Sequence, residues 1–200
     1  MGAKLFGASV PRREDPRLLR GEGRFVDDMK LPGMLHAAFV RSPHAHATVR
    51  AIRSDEAARR PGVFRVFTFA DLERWMKPLP LFGAIPPGLA ARVEVTMKQV
   101  GQLAMARDVV RHVGEIVAMV VGDSRALAED AAELVEVDYD PLPAVVDMVA
   151  GGEPGAPVIH EAWGDNVALR FKTGFGDAAA ALHDAVVPRD ARVDVLRYVG

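Results

Sequence analysis

Two histidines separated by a single residue are the first candidates for chemistry in this sequence. On a strand, side chains alternate between faces, so His44 and His46 would point the same way and could share a metal ion. A complete site needs a third ligand, and no carboxylate lies in the surrounding segment 42–47. The alternative is a turn whose imidazoles hydrogen-bond to backbone carbonyls. The other histidines are isolated and are each predicted to be core or surface residues: His36, His112, His160 and His183.

A glycine-rich segment near the end of the sequence resembles a nucleotide-binding pattern. Residues 174–179 follow a strand-like stretch, begin a helix and match the dinucleotide pattern G-x-G-x-x-A. Asp177, however, would place a negative charge at the helix N-terminus, where the pyrophosphate should bind. As an N-cap, the same residue is favourable by about 1 kcal/mol relative to alanine. We therefore predict a capped helix here rather than a cofactor site.

No other residue pattern assembles into an active site. The paired carboxylates Asp27–Asp28 and Glu129–Asp130 are adjacent in sequence, so their side chains point apart on a helix or strand. The nucleophile pattern G-x-S-x-G is absent. Because the chain has no cysteine, it cannot supply thiol catalysis, thiolate-bound zinc or a thiolate-bound iron–sulfur cluster. The sequence predicts no catalytic, cofactor-binding or metal-binding residue in this chain.

Charge and hydropathy exclude two classes of partner. The 25 basic and 27 acidic residues are interleaved, and mixed charges make a poor track for phosphates. Only 13 aromatic residues are available for base stacking. The longest apolar run, 116–121, has six residues, whereas a membrane span needs about 18. We therefore predict no nucleic acid partner, no membrane span and, without an apolar signal region at the start, a cytoplasmic location.

Clusters of glycine and proline divide the chain into the short elements of an α+β fold. Residue types predict strands at 34–40, 47–53 and 63–67, with a short helix at 55–60. A buried strand at 113–121, a helix capped by Asp123 or Ser124, and an alternating strand at 135–139 predict a βαβ unit.

Two further segments are defined by their composition. The apolar, proline-rich segment 77–88 cannot form regular structure, so it is predicted to be covered by another domain or chain, or to fold over its own core. The cluster of glycine and proline at 151–157 predicts a linker, which a strand at 166–173 and a helix at 177–185 follow.

Three long strings of residues carry a resemblance to a known family. The first is RREDPRLLRGEGRFVDD at 12–28, continuing as LPGMLHAAFVRSPHAHA at 31–47. The second is VGEIVA at 113–118, then AEDAAELVEVDY at 128–139 and PLPAV at 141–145; many relatives have proline in place of Ile116. The third is GAP at 155–157, HE at 160–161, GDNVA at 164–168 and GFGD at 174–177. In this order, over residues 9–187, they resemble the large, molybdenum-cofactor-carrying subunit of the xanthine dehydrogenase and aldehyde oxidase group, and most closely the large subunits of aerobic carbon monoxide dehydrogenases.

The resemblance implies a domain layout and a division of labour. Residues 1–150 correspond to the α/β hammerhead domain with an extended N-terminal arm, and 151–187 to a linker and the start of a truncated molybdopterin-binding region; 188–200 diverge. In the family, the pterin-binding and catalytic residues lie further along the chain. The resemblance therefore implies no cofactor in this chain, and a molybdopterin cytosine dinucleotide-type molybdenum cofactor in the intact enzyme. The implied partners are the remaining large-subunit domains and the iron–sulfur and flavin subunits.

The leading hypothesis is an N-terminal fragment of a molybdenum hydroxylase large subunit that is inactive alone. A truncated gene, a frameshift or a split subunit would leave such a chain, and the intact enzyme would hydroxylate a carbonyl, a heterocycle or carbon monoxide with oxygen from water. One rival is a stand-alone scaffold or protein-interaction module that reuses the domain without redox chemistry. Another is metal binding through His44 and His46. The segments 42–47 and 77–88 are expected to form docking surface.

Overall fold

The computed structural model describes residues 7–80, 88, 94–98, 101–172 and 176–184. In this part of the chain, strands and short helices alternate. The helices are α1 (Asp15–Leu19), α2 (Asp55–Ala58), α3 (Phe69–Leu72), α4 (Arg125–Ala132) and α5 (Ala178–His183). The strands are β1 (His36–Arg41), β2 (Ala47–Arg53), β3 (Val63–Thr68), β4 (Leu79–Pro80), β5 (Glu94–Met97), β6 (Gly101–Gln102), β7 (Val109–Val110), β8 (Ile116–Gly122), β9 (Glu136–Pro141) and β10 (Leu169–Lys172). Three 3-10 turns lie at Val26–Asp28, Ala150–Gly152 and Glu161–Trp163.

The long apolar strand β8 is the centre of the main sheet. It pairs antiparallel with β1 on one side and β3 on the other, and Val120 is the partner of both Ala38 and Val66. Val117, Ala118 and Val120 are buried, whereas Ile116, Met119 and Val121 are only partly covered. The run 116–121 is therefore apolar on both faces of the sheet, although it is not fully buried on both.

A second antiparallel sheet has the order β7-β2-β9. Its exposed face carries an ion-pair ladder in which Arg50 pairs with Asp140, and Arg53 pairs with both Asp138 and Glu136. Hydrogen bonds from Arg53 lower the pKa of the Asp138 carboxyl below its ordinary value. These side chains are about half exposed or more, and exposed ion pairs typically contribute at most about 1 kcal/mol each. The ladder therefore favours the register of β2 on β9 more than it stabilises the fold.

Two apolar clusters form a connected core. The first lies between the main sheet and the helices α2 and α4, and contains Ala57, Val66, Ala118, Val120, Ala131 and Val135. The second lies beside β2 and β7, and contains Ala47, Ala106, Val110 and Val117. Val40 and Val137 pack against both clusters. These two side chains therefore couple the two sheets.

Helix α4 is held close to the main sheet by small residues. Ala128 and Ala131 are buried on its inner face, and a Cβ on Gly122 would lie only 3.4 Å from the backbone nitrogen of Ala128. The helix begins with Ser124, whose Oγ accepts a hydrogen bond from the backbone N–H of Leu127 at 3.3 Å. Of the two caps predicted from the sequence, the structure uses this serine.

Most of the predicted elements are confirmed, but the βαβ unit is wrong. The strands and the helix predicted at 34–40, 47–53, 55–60 and 63–67 all form, with ends shifted by no more than two residues. The segment 113–121 becomes a strand only at Ile116, because the three residues before it belong to a turn. Strands β8 and β9 lie in different sheets, since β1 and β3 occupy both edges of β8 and β9 pairs with β2 instead.

The rest of the described chain consists of short pairings and irregular segments. Strands β4 and β6 pair, as do β5 and β10, while the arm formed by residues 7–35 is almost entirely exposed. The predicted linker 151–157 begins in a 3-10 turn, and most of the proline-rich segment lies outside the described residues. The strand predicted at 166–173 is shorter, β10, and the helix predicted at 177–185 forms as α5, although Ala185 itself lies outside the described part. No helix in that part is long and apolar enough to cross a membrane.

Candidate functional site

The segment 42–47 forms a buried turn between β1 and β2. Ser42 and His46 are only 2% and 8% exposed. The hydroxyl of Ser42 accepts a hydrogen bond from the backbone N–H of His44 at 3.0 Å and donates to the His44 carbonyl at 3.1 Å. Nδ1 of His46 lies 2.7 Å from the carbonyl oxygen of Pro143, and because a carbonyl can only accept, Nδ1 carries the proton. The turn interpretation is therefore confirmed for His46.

His44 makes an aromatic contact instead of sharing a ligand with His46. Its ring centroid lies 4.9 Å from that of Tyr139, with the planes tilted by 58°. The Tyr139 hydroxyl is buried near Ser42 and makes no hydrogen bond of ordinary geometry to a described residue, and burial raises the pKa of this phenol. In the described ranges, no three His, Asp or Glu side chains are grouped so that they could hold a metal ion.

Three of the six residues of the segment 42–47, which is expected to form docking surface, are buried: Ser42, His46 and Ala47. Ala47 is a member of the second apolar cluster. The two ends of the segment are bonded to neighbouring backbone, since Leu142 donates its N–H to the His46 carbonyl and Ser42 donates its N–H to the Glu115 carbonyl. The docking expectation is therefore wrong for the buried residues, and for the exposed or partly exposed residues 43–45 it stays a prediction.

A cleft of about 570 Å³ lies between β6, the turn 111–115 and the 3-10 turn at Glu161–Trp163. Its walls bring together charged and polar side chains from distant parts of the sequence. These are Gln102, Arg107, Arg111, His112, Glu115, His160 and Glu161. Six titratable groups line this cleft, more than line the cavities beside Phe39, Phe25 and Phe69, and it is the best candidate for a functional surface.

The charges of the cleft are largely paired with one another or with the backbone. Arg107 contacts Glu73 at 2.9 Å, and Nε of Arg111 donates to the carbonyl of Ile159 at 3.2 Å. Glu115 accepts a hydrogen bond from the backbone N–H of Arg111, and its Oε2 lies 3.5 Å from Nδ1 of His112. Both arginines of the cleft are therefore already in contact with other groups of the protein.

His160 is the most perturbed titratable group of the cleft. Its ring stacks on Trp163 with the centroids 4.4 Å apart. Burial lowers the pKa of His160 below its ordinary value; the positive charge of Arg111 acts in the same direction, and Glu115 opposes it. The imidazole is therefore held neutral near pH 7 against an indole ring.

Asn166 and Lys98 hold the wall of the cleft that contains His160. The Asn166 amide donates to the carbonyls of Gly151 at 2.9 Å and Pro157 at 2.8 Å, and its oxygen accepts the N–H of Ile159 at 2.9 Å. Lys98 donates to the carbonyl of Trp163 at 3.0 Å and pairs with Asp165. Bonds of this number and geometry make the segment 150–167 an ordered loop.

Sequence reasoning missed this cleft because its residues are far apart along the chain. His160 was treated as isolated, yet it lies near Arg111, Glu115 and His46, between 45 and 114 positions earlier. The available signal was the string HE followed by GDNVA, which includes both His160 and Asn166. The prediction that this chain holds no catalytic, cofactor-binding or metal-binding residue stays a prediction.

A family model defines what this fold is. The model of the aldehyde oxidase and xanthine dehydrogenase a/b hammerhead domain matches residues 20–143, which include both apolar clusters and both three-stranded sheets. The chain belongs to this family. The mixture of few helices and small antiparallel sheets is thus the hammerhead fold of molybdenum hydroxylases, as the resemblance implied.

Relatives of this hammerhead chain are large subunits of much greater length. It is 40% identical over 186 residues to the nicotine 6-hydroxylase large subunit of Paenarthrobacter nicotinovorans, covering 90% of this chain and 21% of that protein. It is 46% identical over 160 residues to the carbon monoxide dehydrogenase large chain of Afipia carboxidovorans, covering 79% and 18%. Among solved structures, the Cu,Mo-CO dehydrogenase superimposes with a TM-score of 0.62 at 41% identity, over 81% of this chain and 19% of that one. The chain spans about a fifth of the length of these relatives.

Proposed function

We propose that this chain is the hammerhead module of a molybdenum hydroxylase large subunit and that the redox chemistry is performed by other segments of the enzyme. The observation that carries the proposal is the match over residues 20–143 to the hammerhead domain, in a chain that covers about a fifth of the length of such subunits. The sequence-derived layout belongs to the proposal: hammerhead at 1–150, linker and start of the cofactor-binding region at 151–187, and divergent tail at 188–200. A cytoplasmic location belongs to it as well.

The residues of the cleft do not fit a molybdopterin cofactor, which is anionic. Arg107 and Arg111 are already engaged, by Glu73 and by the carbonyl of Ile159. Glu115 and Glu161 would face the phosphate groups of such a ligand and repel them. In this proposal, therefore, a molybdopterin cytosine dinucleotide-type cofactor is bound elsewhere in the enzyme, and the isolated chain has no turnover.

The proposed role of the chain is structural support for the cofactor-bearing part of the large subunit. Its partners would be that part and, through it, the iron–sulfur and flavin subunits. The connected core supports this role, because a module with its own two-cluster core can present a rigid surface. The same core favours the alternative of a stand-alone interaction module without redox chemistry, since such a module must also fold by itself.

A chimeric enzyme tests the proposal. The segment of the Afipia carbon monoxide dehydrogenase large chain that aligns with this chain is replaced by the matching segment of this chain, over the 160 aligned residues. We expect the chimera to assemble and to retain molybdenum and carbon monoxide-dependent dye reduction. The negative control is the same chimera with Val120→Asp, because a charge in the first cluster should unfold the module.

Two results would contradict the proposal. One is a chimera whose inserted module is folded, by protease resistance, while the protein neither assembles nor retains molybdenum. The other is stoichiometric molybdenum and substrate-dependent dye reduction in the isolated 200-residue chain.

A further inference from the structure

The face of the main sheet opposite the first cluster carries two rows of side chains from three strands. Directly paired residues of neighbouring strands project from the same face. The pairings therefore define the rows Phe39–Met119–Phe67 and Ala37–Val121–Arg65. The opposite face, with Val66, Ala118 and Val120, contributes to the first cluster. We call the two rows the outer face.

The outer face is apolar but only partly covered. Phe39 is 45% exposed and Ala37 is exposed, while Met119, Val121 and Phe67 are intermediate. Helices α2 and α4 both contribute to the cluster on the opposite side of the sheet. On this side, Val117 at one end belongs to the second cluster, and the two rows lie beyond it. An aromatic–methionine row in the middle of a sheet is a large apolar area to leave in water.

Two arginines border the phenylalanines of the outer face. The Arg41 guanidinium lies 5.7 Å from the centroid of the Phe39 ring, and that of Arg65 lies 5.2 Å from the centroid of Phe67. Arg65 also pairs with Asp71 at 2.9 Å. Arg41 donates to the carbonyl of Gly114, and among the described residues no carboxylate lies within ion-pair distance of it. Phenylalanine, methionine and arginine are the residue types enriched in the centres of protein interfaces.

We infer that the outer face is the surface on which the cofactor-bearing part of the large subunit packs. The inference rests on the proposed function and adds the location of the contact. The occupant is argued from length, because the relatives carry roughly four-fifths of their chain beyond the part that this one matches. It is also argued from charge, because a carboxylate on the covering surface would pair with the guanidinium of Arg41 when the face is buried. The covering surface is thus apolar with an acidic group at the edge.

The absence of cysteine from this chain provides a direct test. A single Phe39→Cys substitution places a thiol on the outer face, and Phe64→Cys is the matched control. Phe64 lies on the same sheet and is 68% exposed, but the pairing of β3 with β8 passes from Val63 to Arg65 and leaves it out of the rows. Maleimide labelling at each position is followed by peptide mass spectrometry, in the isolated chain and in the assembled chimera.

We expect labelling of Cys at position 39 to be slowed by about tenfold or more in the chimera, because an interface centre excludes water. The labelling rate at position 64 should differ by less than about threefold between the isolated chain and the chimera, because this position lies outside the interface centre. In addition, Phe39→Glu should prevent retention of molybdenum by the chimera, whereas Phe64→Glu should not. Since Phe39 is already half exposed, protease resistance of the isolated Phe39→Glu chain should be unchanged.

Results other than these contradict either the location of the contact, its occupant or the proposed function. An assembled chimera in which position 39 stays as reactive as in the isolated chain overturns the location and leaves the proposed function intact. Equal protection at 39 and 64 also overturns it. Protection of position 39 in the isolated chain that grows with protein concentration assigns the face to a second copy of this chain instead. Failure of the unsubstituted chimera to assemble is the failure of the proposed function.

Discussion

His160 shows how position alone changes the chemistry of a residue. In the sequence it is one of six histidines, while in the structure it is stacked on Trp163 and lies near the positive charge of Arg111. Burial disfavours the charged imidazolium, which is why the pKa falls. The neutral ring is therefore part of the folded state, and protonation opposes folding.

The lowered pKa of His160 leads to a pH dependence of stability. In the unfolded chain the ring titrates near its ordinary value of 6.5, so below that pH the unfolded state binds a proton that the folded state resists. The stabilising contribution is full above pH 6.5 and is lost as the pH falls below it. We expect the free energy of unfolding, from urea titrations between pH 7.5 and 5, to fall less in the His160→Gln variant than in the unsubstituted chain.

The control is His183→Gln, at a side chain that is 88% exposed. That variant should keep the pH dependence of the unsubstituted chain. Equal slopes for both variants would mean that burial of His160 does not contribute to acid sensitivity.

Single residues were predictable where the interaction is local. Asp177 was predicted to be an N-cap, and its carboxylate accepts the N–H of Ala180 at 2.9 Å, three positions away. The turn alternative for His46 was weighed as well, although its partner Pro143 was not foreseeable. His160 was missed because none of the groups that perturb it is near in sequence, and neither periodicity nor composition carries information on such contacts.

At the scale of elements, a glycine turn aligns α2, β3 and α4. Gly62 has φ +82°, and its carbonyl accepts the N–H of Asp123 at 2.9 Å, immediately before α4. A Cβ at this position would lie 2.6 Å from Cδ1 of Leu127. The backbone conformation therefore favours glycine, and a Cβ here would have to displace the end of the Leu127 side chain.

The left-handed backbone alone costs about 1–2 kcal/mol for a residue with a side chain. We expect Gly62→Ala to lower the free energy of unfolding by more than this cost. Gly114→Ala is the matched control, since Gly114 has φ +86° and nothing within 4 Å of a Cβ. The difference between the two urea midpoints isolates the contact with Leu127. Equal midpoints would show that Leu127 moves aside at no cost.

Element type was more predictable than pairing. Alternation, β-branched residues and caps are local signals, and they located the strands at 47–53 and 63–67 and the helix after Ser124. Which strands become neighbours depends on which edges are free. The βαβ prediction failed because β1 and β3, separated from β8 by more than 40 residues, occupy both of its edges.

At the scale of the whole molecule, the two apolar clusters should unfold together. Val40 and Val137 contact both clusters, so a cavity at either position weakens both sheets at once. We expect Val40→Ala to cost about 1–3 kcal/mol. Amide hydrogen exchange should accelerate in β8 and also in β2, which belongs to the other sheet.

Val146→Ala is the control, because Val146 is 93% exposed and should leave both rates unchanged. Faster exchange in only one sheet of the Val40→Ala variant would mean that the clusters are independent units.

Long strings of residues were enough to predict the family to which the chain belongs. The outer face could not be predicted from the sequence. The strings at 12–47 and 113–145 fall largely within the matched range 20–143. The rows of the outer face combine Phe39, Met119 and Phe67 from strands in the order β1-β8-β3, an order that no local pattern encodes.

The central position of β8 also has a consequence for synthesis on the ribosome. Strands β1 and β3 are completed at Arg41 and Thr68, but their common partner begins only at Ile116. At roughly 5–20 residues per second, β1 waits about 4–15 seconds for that partner. During this time its apolar side chains are available to chaperones and to other nascent chains. The interval before residue 122 leaves the exit tunnel is therefore the period in which β1 is open to such contacts.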